Sequence, residues 1–126
     1  MPDQASGDSD LGDASDFSNL EIVYNLATCV SIGEYAFNGC SKLRNTDISK
    51  ASTIGVGAFG SCVGLTNIRI EPEVSLPYGC FYGCSNLSVV YNLNKCTSIG
   101  DSAFYGCNSL QNIDISSCSA IDAFAF

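Results

Sequence analysis

A phrase that returns at a fixed interval constrains this chain more than any other feature. IGEYAFNGC (32–40), IGVGAFGSC (54–62), LPYGCFYGC (76–84) and IGDSAFYGC (99–107) are variants of one stretch, and IDAFAF (121–126) begins a fifth; their first residues are 22, 22, 23 and 22 apart. A unit of that length holds one short strand and one turn-like segment, too little to enclose a core. Such units become stable when neighbours stack and bury a shared apolar column.

The offsets inside the unit say what would be stacked. Phe37, Phe59, Phe81, Phe104 and Phe126 share one place, Cys40, Cys62, Cys84 and Cys107 a second, and Leu43, Leu65, Leu87 and Leu110 a third. The segments LRNTDI, LTNIRI and LQNIDI then end in alternation, so that Thr46 and Ile48, Ile68 and Ile70, or Ile113 and Ile115 point inward and their neighbours outward. The outward row is Asn45 and Asp47, Asn67 and Arg69, Val89 and Tyr91, Asn112 and Asp114, with Arg69 beside Tyr91. One unit carries an extra residue in LSVVYNL, a spelling that 17–31 shares with 84–98, and the insertion is expected to be a bulge.

In-register stacking predicts parallel pairing between equivalent strands. Gly33, Gly55 and Gly100, and Gly39, Gly83 and Gly106, are expected at tight corners, and GDSAFYG reads as a single helical or 3-10 turn. A β-helix and a leucine-rich-repeat coil both satisfy this arithmetic. The phrase I-G-x-x-A-F-x-G-C-x-x-L-x-x-I-x-I, however, resembles the BspA-like leucine-rich repeats found on surface proteins of bacteria and some parasitic protists, over about 17–126. The resemblance implies an α/β leucine-rich-repeat solenoid of 22–23-residue coils, with a parallel concave sheet and short helical or 3-10 turns. It further implies an adhesion or host-protein-binding module, at the cell surface or secreted, with no shared catalytic residues and no cofactor.

The net charge of −8 is a property of one end. Residues 1–21 carry six acids and no base, whereas the remainder has seven acids and five bases. Residues 1–16 therefore read as an acidic flexible leader and 17–126 as the repeat body. The leader lacks the basic and apolar regions of a signal peptide, which suggests an intracellular protein or a piece of a longer one. With no basic stripe, nucleic acid is not an expected partner, and the interrupted apolar runs do not predict membrane insertion.

Eight cysteines sit on rails. Besides the four above, Cys29, Cys96 and Cys118 share a place that holds Ala51 and Glu73 in other units. Neighbours on a rail would lie about 5 Å apart, so reduced packing thiols are expected, with disulfides as the alternative. Metal ligation is not expected without histidine or a C-x₂-C pair. Catalysis has little material: histidine is absent, and Asp47 and Asp114, three coils apart, would be about 15 Å from each other.

Recognition is therefore expected on the outward sheet row, where Tyr and Arg are residue types enriched at binding hot spots. The partner would be a protein or glycoprotein. The alternative is head-to-tail self-association through uncapped ends, with Phe17, Phe124 and Phe126 as the candidate residues.

Overall fold

The repeat period is also the spatial register. The computed structural model describes residues 26–111 and 113–126. Its strands are β1 (Ser31–Ile32), β2 (Thr46–Ile48), β3 (Thr53–Ile54), β4 (Asn67–Ile70), β5 (Ser75–Leu76), β6 (Val89–Tyr91), β7 (Ser98–Ile99) and β8 (Ala120–Ile121). Among the described residues all strand pairing is parallel. Strands β2, β4 and β6 form one sheet, in which Ile68 lies between Thr46 and Val90. The two-residue strands form a second ladder in two pieces, β1–β3 and β5–β7–β8, with Ile99 between Leu76 and Ile121. This is the stacked solenoid that the spacing predicts.

The Ala-Phe-x-Gly-Cys side of each coil is built differently from a continuous helical turn. Alternate amides close i→i+3 turns, as Ala36 N does on Gly33 O, while the intervening ones reach the following coil, as Phe37 N does on Ala58 O at 2.8 Å and Phe59 N on Cys80 O at 2.9 Å. Left-handed residues at one shared place, Tyr35, Gly57, Gly79, Ser102 and Phe124, reset the chain direction and prevent a helix from propagating. A second left-handed place holds Gly39, Gly83 and Gly106, and Ser61 takes it at φ 57°. Gly100 serves close approach instead, since a Cβ there would lie 2.8 Å from the Pro77 carbonyl carbon.

Inside, each rail becomes a column. Successive Phe37, Phe59, Phe81, Phe104 and Phe126 rings stack with centroids 5.5, 5.7, 5.4 and 5.3 Å apart and nearly parallel planes. Leu43, Leu65 and Leu87 are fully buried beside them. Such offset stacks contribute about 0.5–1.5 kcal/mol per aromatic pair beyond area burial.

Cysteine is the residue this interior requires at its second rail. The Cys62, Cys84 and Cys107 thiols donate to the Phe37, Phe59 and Phe81 carbonyls of the preceding coil at 3.1, 3.0 and 3.1 Å. Each of those carbonyls also accepts a backbone N–H from the cysteine of its own coil. A thiol fills the space as a small hydrophobe and still supplies a weak donor. All eight cysteines are free thiols. Burial pushes Cys40 up to about 11 and Cys107 up to about 12, and holds Cys80 well above its ordinary value. The hydrogen bond with Cys84 and burial together raise Cys62.

Three details depart from the sequence reading, the first being that Ile113, expected to point inward from a strand, is 45% exposed and that residues 113–115 form no strand. The extra residue of LSVVYNL is not a bulge within the ladder. After β6 the chain turns through left-handed Asn92 into a 3-10 turn, Leu93–Lys95, and Leu93 takes the buried place that Ile48 and Ile70 hold elsewhere. Asn92 Nδ2 meanwhile donates to Ile70 O at 2.9 Å, tying the turn to the coil before it. The matching segment earlier in the chain gives the 3-10 turn Leu26–Thr28, with Leu26 buried. On the other cysteine rail, Glu73 is exposed with φ 75° and Val74 enters the core in its stead.

Candidate functional site

The outward face of the β2–β4–β6 sheet carries side chains in the same register as its backbone. Asp47 pairs with Arg69, and Arg69 with Tyr91, so these three form one row across three coils; Asn67 and Val89 adjoin in the next row. The Arg69 guanidinium lies over the Tyr91 ring, 4.5 Å from its centroid. Both residues are exposed, Tyr91 at 43%. A guanidinium on an aromatic face is attracted by the ring quadrupole, and the contact limits the rotamers of both groups.

The other row members differ in their freedom. Asn45 is committed to the neighbouring coil: its Oδ1 accepts from Thr66 Oγ1 at 2.6 Å and from Asn67 N at 3.1 Å, capping the start of β4. Asp47 and Asp114 each accept a backbone N–H two residues on, from Ser49 at 2.9 Å and Ser116 at 3.0 Å. The Ser116 backbone N–H holds the Asp114 carboxyl below its ordinary value. Asn112 lies outside the described residues, as does Phe17.

The sequence reading missed a second face. A shallow groove of about 520 Å³ runs across β3, β5, β7 and β8, lined by Thr53, Ser75, Ser98, the exposed Tyr78, Asp101 and Asp122. Ser75 Oγ of this lining lies 3.0 Å from Thr97 Oγ1. Its signal was the Ser or Thr that precedes the opening apolar residue in unit after unit: Ser31, Thr53, Ser75 and Ser98.

The coil carrying β8 leaves apolar groups uncovered. Phe126 stacks on Phe104 yet is 45% exposed, and Phe124, Ile113 and Ile121 are exposed as well. A concavity of about 480 Å³ lies among Phe104, Cys107, Leu110, Ile113 and Phe126. Among the described residues no three His, Cys, Asp or Glu side chains converge as metal ligands, and no helix is long and apolar enough to cross a membrane.

Comparisons with known proteins agree with this geometry. The chain matches the model of the BspA-type leucine-rich repeat region over residues 14–126, in six copies. Among solved structures it is similar to a leucine-rich repeat protein of T. pallidum (TM-score 0.67, 27% identity, 89% of this chain and 53% of that one). It is also similar to a leucine-rich repeat protein from Bacteroides ovatus (TM-score 0.61, 29% identity, 82% and 30%). It thus spans about half of the first and a third of the second. Comparison with curated proteins gave no match. Leucine-rich-repeat solenoids are in general noncatalytic protein-binding scaffolds. With its repeats, coil register and interior columns all accounted for, the chain belongs to the BspA-type leucine-rich repeat family.

Proposed function

We propose that this chain is a noncatalytic recognition or adhesion module that binds a protein or glycoprotein ligand, at the cell surface or in secreted form, through the exposed face of β2, β4 and β6. The observation that supports it is the Asp47–Arg69–Tyr91 row, in which two residue types common at hot spots are held in register on a rigid parallel sheet. Prepositioning lowers the entropy lost on binding. Asn67 and Val89 extend the surface, whereas Asn45 acts through the backbone of β4. By the repeat spacing alone, Asn112 and Asp114 would extend the proposed face.

The test is the double variant Arg69→Ala, Tyr91→Ala against immobilised plasma glycoproteins, with and without enzymatic deglycosylation. Both side chains are exposed, so the fold should be unchanged by circular dichroism. Loss of a hot-spot pair is expected to weaken binding by about 30-fold or more. Equal binding by the variant and the parent would remove this face from the site.

A second reading is favoured by the uncovered coil. Phe126 continues the interior column with an open side, and Phe124 stands beside it at 71% exposure. We propose as the alternative that a second copy packs on this exposed aromatic surface of Phe124 and Phe126. Light scattering after size exclusion over a dilution series should then show mass rising with concentration, and removal of residues 122–126 should abolish the rise. A constant monomer mass would end this reading.

A further inference from the structure

One pair of thiols stands apart from the rest. Cys96 and Cys118 occupy adjacent coils on the second cysteine rail, and their Sγ atoms are 3.2 Å apart. The chains that carry them are clamped: Ser119 N donates to Thr97 O at 2.9 Å, and β7 and β8 pair immediately beyond. Parallel neighbours in such a ladder are about 4.8 Å apart, inside the Cα separation of about 4.4–6.8 Å that disulfides span.

The other rail does not offer the same reaction. Cys62 and Cys84 are also neighbours, and the Cys84 thiol raises the pKa of Cys62. Both are fully buried, however, and each donates to a phenylalanine carbonyl. Cys107 is likewise held on Phe81 O. Cys107 and Cys118 are both only partly buried, so a small reagent can reach either, but Cys118 Sγ sits 3.2 Å from the fully buried Cys96 Sγ and is held to a carbonyl only loosely, 3.6 Å from Cys96 O.

We propose that Cys96 and Cys118 form an oxidation site, at which a low-molecular-weight disulfide converts the two thiols into a covalent staple between the coils of β7 and β8. The Cys118 thiolate attacks one sulfur of the reagent, whose S–S bond breaks and releases one thiolate. Cys96 loses its proton to solvent and attacks Cys118 Sγ in the resulting mixed disulfide, expelling the second thiolate. Two protein thiols are oxidised, and one reagent disulfide is reduced to two thiols. Burial raises the Cys96 thiol above its ordinary value, so the second step accelerates as pH rises.

The staple would act on an exposed coil. Strand β8 has both residues exposed and a neighbour on one side only. Closing the 96–118 loop therefore ties the coil of β8 covalently to that of β7.

The full chain, reduced and then held natively in oxidised glutathione at pH 8, is quenched with a thiol alkylator and mapped by mass spectrometry. The expected product has lost two hydrogens and contains a Cys96–Cys118 cross-linked peptide, leaving six of the eight thiols to alkylate. Cys96→Ala should stop at a single glutathione adduct on Cys118, and Cys118→Ala should give no adduct on Cys96. Amide exchange at Ala120 and Ile121 should slow at least tenfold on oxidation, with β2 and β4 unchanged. A stable glutathione adduct on Cys118 of the parent chain, a Cys84–Cys107 cross-link, or eight unreacted thiols would each overturn the proposal.

Discussion

Raising the pH from 8 to 10 is expected to remove roughly 5 kcal/mol of folding stability, enough to bring the repeat body close to its unfolding midpoint. The cause is the thiol rails. Cys40, Cys96 and Cys107 are raised from 9.0 to about 11, 12 and 12, and Cys62 and Cys80 are raised as well. A thiol whose folded pKa exceeds its unfolded one keeps its proton longer in the fold. Its stabilisation is complete below pH 9 and is lost as pH climbs toward the folded value. One pH unit above the unfolded pKa costs about 1.4 kcal/mol per thiol, and the total for five is discounted for screening where the rails approach the ends of the stack. Urea midpoints at pH 8, 9 and 10 at constant ionic strength should fall steadily. Replacing Cys40 and Cys107 by Ala should make the decline shallower, whereas a flat profile in the parent would show that unfolding does not expose these thiols.

That dependence follows from a feature visible in the sequence. Cysteine recurs every 22 or 23 residues beside a recurring phenylalanine, and a fixed period forces equal letters to become neighbours in space. The interior columns were legible for the same reason, since Phe59, Phe81 and Phe104 have no other way to stack in register. The alternation in TNIRI likewise placed Asn67 and Arg69 outward around Ile68 and separated the exposed row from the core. Where each coil turns was less legible. An extra residue in LSVVYNL fixes that the coil must lengthen, but only backbone geometry decides that Asn92 adopts a left-handed conformation and lets Leu93 fill the core. Side-chain direction was hidden too. Asn45 reads as one more outward polar residue until the neighbouring coil brings Thr66 within reach of its oxygen. The 22-residue spacing of Cys96 and Cys118 made them neighbours on their rail, but only the fold brings their sulfurs within 3.2 Å.

Phe81→Ala should lower stability by about 3–5 kcal/mol, toward the upper end of the range for a buried aromatic. Its ring is fully buried and stacked on both faces, 5.7 Å from Phe59 and 5.4 Å from Phe104. The gap left behind cannot close easily, because Phe81 N is pinned to Ala103 O at 2.8 Å and Cys80 O to Phe59 N at 2.9 Å, fixing the spacing between coils. Phe126→Ala removes a ring stacked on one face and 45% exposed, and is expected to cost less than about 2 kcal/mol. In a solenoid each coil is stabilised chiefly by its neighbours. The central substitution therefore also weakens the coupling between the coils on either side, and urea unfolding should broaden or split, with amides beyond residue 98 exchanging before those of β2 and β4. Phe81→Leu, which retains most of the buried carbon, should recover about half of the loss and restore a single transition. Equal costs at Phe81 and Phe126 would mean that the aromatic column contributes only local packing and that the coils are held in register by their backbone ladders alone.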